Sequence, residues 1–319
     1  MTERVLLVKA KAPTGPHGRP PNERSIADHL RLGIVNLDKP SGPTSHQVVA
    51  WMKAALAISR AGHGGTLDPN VTGVLPVALT DATRALKALL LAPKEYVCVL
   101  RLHADAPPKR LETVLREFVG DVYQVPPLKS AVKRQLRVRR VYTLDLLENE
   151  GREVLFRVRC QAGTYVRKLC SDVGTVLGTG ANMADLRRTR TAGFGEDTIA
   201  TLHDLTDAVA LWKETGDESA LRRVVQPMER MIEHLPRVIV RDSAVDALCH
   251  GADLAAQGVL EVERGLRKGQ AMAVFTQKGE GVALGTALAS AEEMLAAESG
   301  LVVNVDRVLM DKGTYPRAW

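Results

Sequence analysis

The chain has 319 residues, 45% hydrophobic and 25% charged, an ordinary globular composition that excludes wholesale disorder. No apolar run nears the roughly 18 residues that span a bilayer, and the four apolar residues at 5–8 are too few for a secretory signal, so a cytoplasmic protein is expected. Lys and Arg number 43 against 37 Asp and Glu; residues 1–235 carry 34 and 26 of these, net +8, and residues 236–319 carry 9 and 11, net −2. A basic field over the larger part suggests a polyanionic partner, RNA or DNA first.

In chain order, residues 1–31 read as an irregular arm, because Pro13, Gly15, Pro16, Gly18, Pro20 and Pro21 crowd a short stretch. A short strand is expected over 33–37, then an amphipathic helix capped by Thr44 or Ser45, with Val48, Val49, Met52 and Leu56 on one side. Strands follow at 73–79 and 94–102; in the second, Tyr96, Cys98, Leu100 and Leu102 alternate with Val97, Val99 and Arg101. A helix pattern covers 109–119, and 137–147 with 153–160 read as a hairpin turning through Glu148-Asn149-Glu150-Gly151. The second arm of that hairpin alternates an apolar face with one carrying arginines. A helix over 165–177 stops at Gly178, and 198–235 read as mostly helical. Beyond Pro236, strands at 259–262, 271–275, 282–286 and 301–305 separated by glycine turns suggest a small β-barrel-like domain.

Five stretches carry candidate chemistry. Gly62-His63-Gly64-Gly65-Thr66-Leu67-Asp68-Pro69 is too glycine-rich for a helix or strand interior, and Pro69 disfavours helical geometry at Asp68. Asp68 therefore sits on a tight loop, open to a ligand or serving its own turn. Tyr96, in Lys94-Glu95-Tyr96, reads either as core with a satisfied hydroxyl or as a binding ring. In Gly163-Thr164-Tyr165-Val166-Arg167-Lys168 a strand gives way to a helix; Tyr165 would stack on a base and Arg167 would pair with a carboxylate, or Arg167 is a surface arginine. Six of the twelve residues from Lys129 to Arg140 are basic and none is acidic, which looks like a phosphate-gripping loop. In Leu186-Arg187-Arg188-Thr189, adjacent strand arginines point to opposite faces, so at most one aims inward. Cys98, Cys160, Cys170 and Cys249 make no Cys-x-x-Cys pair, so they read as buried reduced thiols rather than a zinc or disulfide framework.

Taken in order, Asn36-Leu37-Asp38-Lys39-Pro40, Gly62 to Pro69, Lys94-Glu95-Tyr96, Tyr165-Val166-Arg167 and Leu186-Arg187-Arg188-Thr189 resemble the successive signatures of the TruB-type pseudouridine synthases. Pro126 to Arg134 and Asp246 to Leu254 resemble the archaeal and eukaryotic branch, the dyskerin-type catalytic subunit of box H/ACA guide ribonucleoproteins. The chain lacks a long basic tail, which resembles the archaeal members. The resemblance covers about residues 30–313. It implies an α+β fold: a mixed, mostly antiparallel sheet with flanking helices over 32–235, a small β-barrel-like PUA domain over 236–313, the arm at 1–31 and a tail at 314–319.

The resemblance further implies isomerisation of uridine to pseudouridine in RNA, guided by box H/ACA RNA on rRNA and also acting on tRNA, with no cofactor and no metal. Asp68 maps to the reactive aspartate, Arg167 to its partner and Tyr96 to the ring under the flipped base. His63 maps to a residue holding the displaced nucleotide, with Tyr165 and Leu186 lining the same pocket and Lys39 and Pro40 supporting the loop. A dry pocket disfavours an ionised carboxylate and a buried arginine opposes that, so a buried Asp68–Arg167 pair is expected. RNA contacts are expected at Lys133, Arg134, Arg137, Gly251, Ala252 and Lys268. Implied partners are guide and target RNA, a small zinc-ribbon or linker protein, a small β-barrel protein and a kink-turn-binding protein, with no membrane. A stand-alone tRNA pseudouridine synthase is the nearer alternative, and a non-catalytic RNA-binding scaffold the more remote one.

Overall fold

The computed structural model describes residues 4–126 and 135–317. Its first elements are β1 (Leu6–Val8), α1 (Ile26–Arg31), β2 (Gly33–Lys39), α2 (Ser45–Leu56), β3 (Ala61–His63), β4 (Thr72–Leu79), α3 (Leu86–Leu91) and β5 (Lys94–Leu102). Next come α4 (Pro108–Glu117), β6 (Gly120–Gln124), β7 (Arg137–Glu150), β8 (Glu153–Cys160), α5 (Val166–Leu177), β9 (Ala181–Thr191) and β10 (Phe194–Gly195). The chain continues through α6 (Leu202–Thr215), α7 (Ser219–Val224), β11 (Val225–Pro227), β12 (Arg237–Val240), α8 (Asp242–Cys249) and β13 (Leu254–Ala255). It ends with β14 (Val259–Glu263), β15 (Ala271–Thr276), β16 (Gly281–Ala287), α9 (Ala291–Ala296) and β17 (Leu301–Val308).

Among the described residues, ten strands form one sheet, along the path β11-β2-β4-β9-β5-β8-β7-β6, with β10 on β9 and β3 on β4. Only β4 and β9 run parallel in it, through the short pairing of Thr72 with Arg187 and Gly73 with Arg188. A second sheet has the order β1-β14-β12-β15-β16-β17-β13, with α8 and α9 packed on it. This is the expected mixed α+β architecture. Local chemistry explains where the helices begin and stop. Thr44 caps α2, its hydroxyl accepting from the Gln47 amide while the Gln47 side chain accepts from the Thr44 amide. Gly178 ends α5 in the left-handed region that glycine adopts without penalty.

Three expectations need correcting. The arm is not wholly irregular: Leu7 pairs with Val262 in the second sheet, and α1 begins at a Ser25 cap, so prolines disrupt only the stretch between. The segment 198–235 is not helical throughout, because Val225–Pro227 leaves α7 to become an edge strand on β2. Beyond Pro236, β12, α8 and α9 add to the expected strands; β12 is short, and its neighbours across the sheet come from distant sequence. Tyr315, in the expected tail, is buried in the second core and donates its hydroxyl to Glu280 at 2.6 Å.

The two sheets also share a core. Ile34, Val74, Ala78 and Met231 from the first unit pack in one cluster with Ala273, Phe275, Leu284 and Leu309 from the second. Charge reinforces the junction: Arg31 donates to Asp81 at 2.8 Å and Asp311 at 2.6 Å, and Arg84 donates to Asp311 at 2.7 Å.

Helix α5 reaches the sheet by a close approach at Gly174. A Cβ there would lie 2.2 Å from the Ala181 amide nitrogen and 2.5 Å from the Ala181 Cβ. Gly174→Ala therefore forces α5 off β9, and we expect a loss of about 2–3 kcal/mol, the usual scale of overpacking. Gly193→Ala, where nothing lies within 4 Å of the new methyl, should melt like the parent chain. Thermal denaturation of the two variants against the parent measures this.

Candidate active site

Asp68 lies in the loop between β3 and β4, and that loop is gripped through its backbone. Lys39, fully buried at the end of β2, donates from Nζ to the carbonyls of Pro40 and Pro69 at 2.8 Å and of Val71 at 2.9 Å. Ser45, at the first turn of α2, both accepts from the Leu67 amide and donates to the Leu67 carbonyl, each at 2.9 Å. Arg188 donates from Nη2 to the Gly65 carbonyl at 3.0 Å. Carbonyls at 65, 67, 69 and 71 are thus held from beneath, which leaves the Asp68 side chain on the outer side of the loop.

There it meets Arg167, the second residue of α5, whose Nη2 donates to Asp68 Oδ2 at 2.7 Å. The partnership is the expected one, but its setting is not. Arg167 is 58% exposed and Asp68 56% exposed, so the pair is open to solvent and not in a dry pocket. The reason is that the loop is held through its backbone, which leaves the Asp68 side chain open to solvent among the described residues. An exposed pair of this kind contributes about 0–1 kcal/mol to stability, so its consequence is orientation of the carboxylate.

Tyr96 is half-buried on β5 and packs against the cluster containing Leu186 of β9. Its hydroxyl is pushed above the ordinary tyrosine range by burial, and the Asp68 carboxylate is near enough to act in the same direction. Tyr165 caps α5 from the preceding residue. Its amide donates to Gln124 Oε1 at 2.9 Å and its carbonyl accepts from Gln124 Nε2 at 3.2 Å, so the buried Gln124 of β6 fixes where α5, and hence Arg167, begins. His63 stands on β3 edge-on to His46, with ring centroids 5.3 Å apart, and burial, then the neighbouring His46 and Arg188, lower its pKa. The structure thus brings Asp68, Arg167, Tyr96 and Leu186 to one end of the central strands, with Tyr165 at the helix start and His63 on the loop's incoming strand.

Three cations lie buried around this loop: Lys39, Lys94 and Arg188. Lys94 donates to the carbonyls of Leu89 and Ala92 at 2.8 Å and of Leu90 at 3.0 Å, and burial, reinforced by Arg188, pulls its pKa down to about 8. Burial lowers Lys39 as well, opposed by Asp68. Among the described residues none of the three has a carboxylate within ion-pair distance. Sequence reading placed Lys39 as loop support, which its contacts bear out, but gave no role to Lys94, Gln124 or Arg188. Only the parity of the Arg187-Arg188 pair hinted at one: Arg187 turns outward to Asp38 at 3.0 Å while Arg188 is 1% exposed.

The expected RNA contacts are dispersed. Lys133 and Arg134 lie outside the described residues, and Arg137 opens β7 opposite Gln124. Gly251 follows α8 at φ +89°, where an added Cβ would meet nothing within 4 Å, and Ala252 bonds back to the Ala247 carbonyl at 3.1 Å. Gly251 lines an open groove of about 550 Å³ with Arg84, Arg307, Asp311 and Lys312; Lys268 is in the β14–β15 turn and does not line it. No group of His, Cys, Asp and Glu suited to a metal ion occurs among the described residues, and no helix among them is long and apolar enough to cross a membrane.

Residues 53–166 match the TruB family pseudouridylate synthase N-terminal domain and residues 167–233 the tRNA pseudouridylate synthase B C-terminal domain. Residues 236–309 match the PUA domain and residues 2–49 the DKCLD (NUC011) domain. The chain is 56% identical to a protein of Methanopyrus kandleri named "Probable tRNA pseudouridine synthase B", over 99% of this chain and 94% of that protein. A protein of the same name from Methanocaldococcus jannaschii is 52% identical over 98% of this chain and 94% of its own length. The fold superposes on a chain of a Cbf5–Nop10–Gar1 complex with TM-score 0.94 and 51% identity, covering 99% of this chain and 97% of that one. It superposes equally on a chain of an H/ACA ribonucleoprotein bound to a substrate RNA containing 2′-deoxyuridine, with TM-score 0.93 and 49% identity, covering 99% of this chain and 98% of that one. The open carboxylate–arginine pair and the four matched segments converge on one assignment: this chain belongs to the TruB family of pseudouridylate synthases.

Proposed function

We propose that the chain isomerises uridine to pseudouridine at sites chosen by a box H/ACA guide RNA, with Asp68 as the reactive carboxylate. The reaction breaks the N1–C1′ bond, forms a C5–C1′ bond, releases the C5 proton and returns a proton to N1, so it balances without oxidant or cofactor. The observation that carries the site is the Asp68–Arg167 contact at 2.7 Å on a loop fixed from beneath. A uridine inside a helix hides C1′ and C5, so the nucleotide must be extruded, at a cost of a few kcal/mol. Tyr96 gives the extruded base a ring to stack on, and base–aromatic stacking contributes about 1–3 kcal/mol. The flipped nucleotide is then what covers Asp68 and Arg167. His63 positions the displaced nucleotide, and Tyr165 and Leu186 complete the wall.

Guidance is supported by the likeness to chains solved within H/ACA ribonucleoproteins. We assign catalysis to residues 32–235 and the guide's end to residues 236–313, flanked by the arm at 1–31 and the tail at 314–319; Leu6–Val8 of the arm and Tyr315 of the tail join the C-terminal unit, while Arg24 and α1 pack on the catalytic one. The groove beside Gly251 and Ala252, with Arg84, Arg307 and Lys312, suits a single-stranded RNA end read by local contacts, and Lys268 is a separate RNA contact on the β14–β15 turn. Lys133, Arg134 and Arg137 supply phosphate contacts to the catalytic unit. The partners are guide RNA, rRNA and tRNA targets, and the three small proteins of such a particle, among them counterparts of Nop10 and Gar1. A cytoplasmic setting agrees with four free buried cysteines. The second reading, a stand-alone tRNA enzyme, is favoured by the names of the curated relatives.

The test uses the full chain, because removing residues after 235 would strip Phe275 and Leu309 from the shared core. With tritium at C5 of the target uridine, wild-type protein, partners and a matched guide should release label, while Asp68→Asn should release none and bind RNA within a few-fold. A scrambled guide should abolish release from an rRNA target. Full activity in Asp68→Asn contradicts the assignment of the carboxylate, and equal activity with either guide favours the stand-alone enzyme.

Salt dependence tests the basic segment. Neutralising Lys133, Arg134 and Arg137 should weaken RNA binding and lower the slope of log affinity against log salt by about one unit for each phosphate no longer gripped. An unchanged slope would remove these residues from the RNA interface.

A further inference from the structure

Arg188 is one of the cations buried around the Asp68 loop, and its surroundings suit a task beyond packing. It is 1% exposed and carries a guanidinium that stays charged in proteins. Its Nε donates to the Val74 carbonyl of β4 at 2.7 Å and its Nη2 to the Gly65 carbonyl at 3.0 Å, three residues before Asp68. Its strand is pressed against β4 as well: a Cβ on Gly73, at φ +100°, would lie 2.3 Å from the Arg188 carbonyl oxygen.

The third direction is set by a β-bulge. Between β5 and β9 the register pairs Glu95 with Arg190 but Tyr96 with Arg188, so Thr189 is skipped. Thr189 anchors the bulge by donating its hydroxyl to Glu95 Oε1 at 2.9 Å. Without the skipped residue Tyr96 would face Thr189. With it, Tyr96 and Arg188 are directly opposed on one face, the arrangement in which cross-strand side chains touch. Bulges commonly re-aim a side chain next to a reactive centre. The guanidinium acts on the Tyr96 hydroxyl, favouring its ionised form.

We propose that Arg188 is a positioning residue that locks the Tyr96 ring and the Asp68 loop into one register, so that a base stacked on the ring presents its nucleotide to the carboxylate. The inference rests on the reading of Asp68 and Tyr96 given above. A lysine gathers carbonyls around its single ammonium group, as Lys94 does within the turn that ends α3 and Lys39 does between its own turn and the Asp68 loop. An arginine is needed to span three segments, because its donors are spread in a rigid planar fork. On this account Arg188 does not touch substrate; it acts through Tyr96 and through the loop.

The test is a double-mutant cycle on the full chain with guide RNA and partner proteins, read by single-turnover tritium release. Arg188→Lys keeps the charge and loses the fork; Arg188→Gln keeps a donor and loses the charge. Either should slow the single-turnover rate by about 10–100-fold while RNA affinity stays within about threefold, the split expected when positioning rather than binding is lost. In a Tyr96→Phe background the same substitution should slow the rate at least about fivefold less, because coupled residues are not additive. Equal fold losses in both backgrounds, loss of RNA affinity with the rate preserved, or failure of both Arg188 variants to fold would assign Arg188 to stability alone and overturn the proposal. Asp68→Asn, run alongside, separates the readings: activity in that variant contradicts the site itself, whereas additivity contradicts only the role of Arg188.

Discussion

The place of Asp68 depends on a buried ammonium group, Lys39, that among the described residues has no carboxylate within ion-pair distance. Burying an ion costs several kcal/mol even after relaxation, and Lys39 offsets that cost by gathering three backbone carbonyls. The arrangement stabilises both sides. A loop built of glycines and prolines pairs few of its own carbonyls, and buried carbonyls left unpaired are themselves unfavourable. Lys39 can reach them because it ends β2, a strand buried along nearly its whole length between β4 and β11. The central sheet is therefore the reference frame for the reactive carboxylate, and the loop inherits its rigidity from cations that approach from below.

The same device recurs around the site. Lys94 collects the carbonyls that close α3, and Arg188 joins the loop to β4. Three cations without acids beneath an exposed aspartate make the floor of the cleft positive, a field that suits a polyanionic substrate as well as the carboxylate. Reaction chemistry is thus divided between an immobile floor and an open top. On the proposed reading the extruded nucleotide of the RNA is what covers Asp68 and Arg167.

Much of this was legible in the sequence, and the parts that were not have physical reasons. Alternation found β5 and β8, cap chemistry found the start of α2 and the end of α5, and the motif order anticipated that Asp68 and Arg167 meet, because each is a local pattern. The strand Val225–Pro227 was missed because three residues after a helix carry no period; only its pairing with Val35 and Ile34 makes it a strand. Leu6–Val8 was missed for the same reason, its partner lying in the other sheet. The burial of the Asp68–Arg167 pair was misjudged because a motif fixes which residues meet, not whether anything covers them. Gln124 carries no local signal of role, being a polar residue in a strand; for Arg188, parity with Arg187 says only that one of the two turns inward, and its place opposite Tyr96 depends on a bulge invisible before the register is known.

The shared core of the two sheets gives distance a meaning. With Phe275 and Leu309 packed among residues of the catalytic unit, and Asp311 bridged to Arg31 and Arg84, the groove beside Gly251 sits at a fixed offset from the reactive loop. On the proposed reading, a guide held at the groove measures out its target at the Asp68 loop. The most direct test is a structure of the assembled particle with a target RNA carrying 5-fluorouridine, whose C5 has no proton to lose. The account predicts that nucleotide extruded, its base on the Tyr96 ring and the Asp68 carboxylate within about 3.5 Å of its sugar or base carbon, the separation of a reacting pair. A target base still stacked in the RNA, with Asp68 and Arg167 left open to solvent, would contradict it.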